Sequence, residues 1–103
     1  MGKEKAEKKL GVVKEIVEAA GMGISYAYED LVFLDHNALL LQFTQESGRV
    51  LVHINREADR EIVGKAVSLL KLEAGEKEMT FIDGGEYALS QDGGENIHIE
   101  FTP

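Results

Sequence analysis

The chain has 103 residues, no cysteine and a formal net charge of −8, with 44% apolar and 29% charged residues. That balance belongs to a folded globular chain, long enough for one sizeable core and too short for two, so residues 1–103 are expected to form a single domain. Without cysteine there is no disulfide framework and no zinc–thiolate site, and the longest apolar run, four residues, is far short of a membrane span.

Charge is unevenly distributed. Residues 1–20 hold five Lys and four Glu, a net of +1, whereas residues 73–103 hold eight acids against Lys77 alone. Phosphate backbones attract the opposite sign, so nucleic acid is not an expected partner. The charged N-terminus has neither the apolar core nor the cleavage pattern of a signal peptide, which makes the cytoplasm the default location.

Residues 4–20 are predicted to form an amphipathic helix, with Ala6, Leu10, Val13, Ile16 or Val17, and Ala20 recurring at helical spacing. Its lysines are interleaved with glutamates, the pattern of a solvated face rather than a membrane-seeking one. Gly21-Met22-Gly23 ends it. From Ile24 the period changes to two. Ile24, Tyr26 and Tyr28 mark a first strand, and Leu31 to Leu34 a second after a Glu29-Asp30 turn.

Leu39, Leu41 and Phe43 alternate on one arm of a hairpin and Val50, Val52 and Ile54 on the other, about the polar loop Gln45-Glu46-Ser47-Gly48. Folding about that loop sets Phe43 opposite Val50, Leu41 opposite Val52 and Leu39 opposite Ile54. A three-residue Asp35-His36-Asn37 loop places Leu31 and Phe33 opposite Leu41 and Leu39, on the core face. Val32, Leu34, Leu40 and Leu51 then point away from the core. An apolar outward patch is costly to leave in water, so these four are the expected interface of a two-fold dimer.

Asn55 is expected to cap a second helix, which ends at Ala74-Gly75. Ile62, Ala66, Leu69 and Leu70, flanked by Val63 and Val67, form its buried stripe, and Gly64 allows close approach of a neighbour. The segment Asp83-Gly-Gly-Glu86 recurs nine residues later as Asp92-Gly-Gly-Glu95. Both read as hairpin loops, giving a three-strand meander in which Met79 and Phe81 share a face with Tyr87, Leu89, Ile97 and Ile99. The fold class is α+β, in the order helix, meander, helix, meander, with an antiparallel sheet and both helices mainly on one face.

Candidate chemistry is sparse. His53 and His98 fall on outward strand positions and His36 in a turn, but no metal-binding spacing links them, so they read as surface histidines. Gly23-Ile-Ser25-Tyr-Ala27 approximates a nucleophile elbow, yet a helix precedes it and a strand follows, the reverse of what an elbow needs. Gly64-Lys65 lacks the upstream glycine of a phosphate loop. The Asp-Gly-Gly-Glu turns are hairpin chemistry rather than calcium loops. Tyr26, Tyr28 and Tyr87 fit either a groove lining or core packing, and packing is the simpler account. No residue is assigned a catalytic, cofactor-binding or metal role, and no cofactor is expected.

In element order and acidity alone the chain is similar to the type III secretion chaperones and to the roadblock-type dimer domains. That resemblance implies a binding or scaffolding role. The expected function is a homodimeric protein-interaction module, chaperone-like or adaptor-like, with a partner protein and without nucleic acid or membrane. A small-ligand-binding or regulatory domain is the alternative, and an enzyme comes third.

Overall fold

A computed structural model describes residues 2–28, 30–35, 38–46, 48–91 and 97–102, with residues 2–9, 91 and 97 described through the backbone alone. Helix α1 (Gly2–Ala19) is followed by strands β1 (Ile24–Tyr28), β2 (Leu31–Leu34), β3 (Leu39–Phe43) and β4 (Arg49–Asn55), helix α2 (Arg60–Glu76), and strands β5 (Thr80–Gln91) and β6 (Ile97–Thr102). The six strands form one mixed sheet in the order β1-β2-β3-β4-β5-β6. Two helices and a six-strand sheet make the fold α+β.

The β3–β4 hairpin has the expected register, with Leu39 opposite Ile54, Leu41 opposite Val52 and Phe43 opposite Val50. Gly48, at φ +86°, reverses the chain where a side chain would be strained. The Thr44 hydroxyl donates to the Arg49 carbonyl at 2.9 Å and accepts from Glu46 N–H at 3.2 Å, which closes the loop.

Strand β2 is turned over relative to expectation. Leu34 pairs with Leu39, Phe33 with Leu40 and Val32 with Leu41, so four residues separate the strands instead of three. Asp35 takes φ +44°, and Ala38 N–H donates to the Leu34 carbonyl at 3.0 Å, leaving Ala38 outside the ladder. Because side chains alternate, this one-residue change exchanges the two faces of β2. Val32 and Leu34, expected to point outward, instead enter the core with the residues of the helices.

The parallel pairing of β4 with β5 departs from the expected antiparallel sheet. Parallel strands need a long crossover, and α2 supplies it. Asp83-Gly84-Gly85 is not a hairpin loop but a bulge inside β5, which runs unbroken to Gln91. The second meander is therefore a single β5–β6 hairpin. The repeat Asp92 to Glu95 and His36 lie outside the described residues.

Helix α2 begins later than expected. Asp59 caps it, its carboxylate accepting from Glu61 N–H at 2.9 Å and Ile62 N–H at 3.2 Å. Asn55 accepts from Glu57 N–H at 2.9 Å in the turn before the helix. Val63, Val67, Leu70 and Ala74 are the buried residues of α2, whereas Ile62 and Leu69 are exposed. Gly64 has no neighbour that a Cβ would meet, so it does not mark a close approach.

Two apolar clusters result. The larger unites Val13, Ile16 and Val17 of α1 and the four buried residues of α2 with Val32, Leu34, Leu39, Leu41, Val50, Val52, Met79 and Phe81. The smaller contains no helix residue. It joins Phe33, Leu40 and Tyr87, with Leu31, Leu89 and Ile99 partly buried around them.

Candidate interaction surfaces

The four residues expected at an interface occupy three environments. Val32 and Leu34 are buried in the helix-containing cluster. Leu40 lies in the other cluster, fully buried with Phe33 and Tyr87. Leu51 is half-buried and lines an open hollow of about 380 Å³ together with Thr44, Gln45, Glu46, Arg49 and Ile82. The single cation there, Arg49, is paired with Glu46 at 3.0 Å.

His53, expected at the surface, is 4% exposed. Its ring sits against Phe101 with centroids 4.6 Å apart, and a Cβ on Gly84 would come within 2.7 Å of its Cε1. Gln42 Nε2 donates to the Asp30 carboxylate at 3.3 Å, which turns Gln42 Oε1 towards His53 Nε2 at 3.0 Å. That arrangement places the imidazole proton on Nε2 and leaves a lone pair on Nδ1, which is buried without a partner. Burial pushes the His53 pKa below its ordinary value. The ring is a neutral packing element, walled in by the Gly84 backbone.

His98 is exposed on β6 and pairs with Ser90, with β5 lying between it and β4, so the two histidines do not converge. Among the described residues no group of three His, Asp or Glu side chains stands close enough to hold a metal ion. Ser25 lies on β1 after a helix, as the sequence order implied. No helix is long and apolar enough to cross a membrane among the described residues.

Two exposed apolar surfaces remain. On α2, Ile62, Leu69 and Leu72 are 69%, 46% and 63% exposed. At 100° per residue these three fall within about 80° of one another, and their stripe lies about 150° around the helix from Val63, Val67, Leu70 and Ala74. The helix thus has an apolar stripe on each side. Sequence periodicity could not choose between them, because apolar residues at 62, 63, 66, 67, 69, 70, 72 and 74 spread over about 220° of the helix, wider than a single buried stripe.

The other surface is the edge strand β1, where Ser25 to Tyr28 are exposed. Tyr26 and Tyr28 are 58% and 56% exposed and stack with centroids 6.5 Å apart at 15°. Pairing of Tyr26 with Phe33 and Tyr28 with Leu31 puts the tyrosines on the side of the smaller cluster. Core packing therefore accounts for Tyr87 and not for the other two. The signal in the sequence was the strand Ile24-Ser-Tyr-Ala-Tyr28 itself, uncharged and apolar at an edge that only the sheet order reveals. No protein-family model, curated protein or solved structure matches this chain.

Proposed function

We propose that the protein is a homodimeric protein-interaction module of adaptor or chaperone type, and that its self-association uses the solvent-facing stripe of α2. The observation that carries this reading is the exposure of Ile62, Leu69 and Leu72 in one stripe opposite the buried one. Leaving large aliphatic side chains in water forfeits about 1.5–3 kcal/mol each relative to full burial, and contiguous exposed apolar surface commonly marks an interface. The centre of the stripe is also self-complementary. In an antiparallel pairing of two α2 helices centred on Leu69, Lys65 of one copy meets Glu73 of the other, and Leu72 meets Ala66. Opposite charges then flank an apolar centre, as a two-fold interface requires.

An interface on α2 keeps the self-association expected from the sequence and moves it away from Val32, Leu34 and Leu40, which are buried within the monomer. Light scattering across a dilution series of wild type and Leu69→Asp tests it. The expected result is a wild-type dimer and a monomeric variant. A wild type that is monomeric at high micromolar concentration rejects self-association, and a dimer unaffected by Leu69→Asp rejects the α2 interface.

A further inference from the structure

The geometry points to strand β1 as a docking edge for an extended, basic peptide segment, which adds to the sheet as a seventh strand. This inference is independent of the α2 interface. Edge strands expose backbone hydrogen-bonding groups, and natural sheets guard them with charge, proline or distortion. Strand β6 has such a guard in exposed Glu100 and His98. Strand β1 has no charged residue and no proline, and among the described residues no strand lies along its outer side. Its one irregularity, between Ile24 and Tyr26, leaves the run Tyr26 to Tyr28 in regular register.

Charge selects the occupant. Residues 21–38, which carry β1 and its flanking turns, contain Glu29, Asp30 and Asp35 and no Lys or Arg. Asp30 follows β1 on its way into β2 and is exposed. Asp35 is held at the other end, where its carboxylate accepts Gly23 N–H at 3.1 Å. Carboxylates thus bracket a five-residue strand, a length of about 17 Å. The stacked rings of Tyr26 and Tyr28 lie between them, and the face of a tyrosine attracts a Lys or Arg cation placed over it. A segment with Lys or Arg at alternate positions sets its cations beside the two rings while its backbone pairs with β1. A second copy of this chain fits poorly. Antiparallel pairing of β1 with itself would bring Asp30 of each copy to the Asp35 end of the other.

The probe is a labelled, capped eight-residue peptide of alternating Lys and Val, titrated with the full chain and followed by fluorescence anisotropy. Saturable binding in the micromolar range is expected, weakening as salt is raised. The same peptide with Glu in place of Lys, and the Lys peptide with every backbone amide methylated, should each bind at least tenfold more weakly. Tyr26→Lys/Tyr28→Lys should lose at least tenfold. Asp30→Lys, outside the strand, should lose several-fold and serves if the double variant does not fold. Absence of binding at millimolar protein, equal binding of the methylated peptide, or indifference to both variants overturns the proposal. So does a wild-type dimer that Tyr26→Lys/Tyr28→Lys converts to monomer, because the occupant of β1 is then a second copy.

Discussion

The rings of Phe33 and Tyr87 meet edge to face with centroids 6.3 Å apart, although strands β3 and β4 lie between β2 and β5. Three strand spacings amount to about 14 Å in a flat sheet. The two side chains therefore reach towards each other across the intervening strands, and with Leu40 they form one buried cluster. That contact makes a second interior of a sheet face that carries no helix residue. It explains why Leu40 is fully buried with no helix residue in its cluster.

Phe33→Ala should accordingly destabilise the protein by about 3–5 kcal/mol, as for a core aromatic. Leu41→Ala, in the helix-containing cluster, should lose about 2–5 kcal/mol. Urea denaturation at fixed pH measures both. A loss below about 1 kcal/mol for Phe33→Ala would mean that its ring lies on an ordinary solvated face.

Gly84→Ala should be destabilising by about 1–3 kcal/mol, since the added methyl would overlap the His53 ring. The same change combined with His53→Ala should lose less than the sum of the two single variants. Additive losses in that double-mutant cycle would show that Gly84 is needed for the bulge backbone rather than for the ring.

Stability should fall as pH drops through the ordinary histidine value of 6.5. The sign follows from burial, which holds the folded His53 pKa below the unfolded one. Under mildly acidic conditions the unfolded chain takes up a proton that the folded chain refuses, so stability is complete above 6.5 and declines below it. Comparing urea melts of wild type and His53→Gln at pH ~7.5 and ~5.5 isolates this contribution, and the variant should show the smaller decline. Equal declines would rule out a buried neutral ring.

Tyr87 should ionise late. Burial raises its phenol from 10.0 to about 12, although a side-chain hydrogen bond with Asn55 opposes the shift. The stabilisation of the neutral phenol is therefore complete below pH 10 and is lost as pH rises through about 12. Absorbance titration at the phenolate band should show a late step that is absent from Tyr87→Phe. If that step persists in the variant, the late phenol is another tyrosine.

The β3–β4 hairpin was legible because its two apolar triplets have only one pairing that buries both. The course of α1 was legible for a similar reason, since Val13, Ile16 and Val17 form a single apolar stripe. Neither the face of β2 nor the inner side of α2 could be read that way. Leu31 to Leu34 is apolar at every position, so alternation has no phase, and the extra loop residue between β2 and β3 decided it. Strand β5 holds the clearest case. Phe81 and Tyr87 are six residues apart and would share a face in a regular strand, yet they lie in different clusters. The bulge at Gly84 shifts the phase, and it does so because parallel pairing with β4 brings the His53 ring against a backbone that has no side chain. Composition and period thus settled the class of fold and its strongest elements. Which apolar side chains became interior and which stayed on the surface depended on loop length, bulge and cross-strand packing, all of them set by contacts between residues distant in the chain.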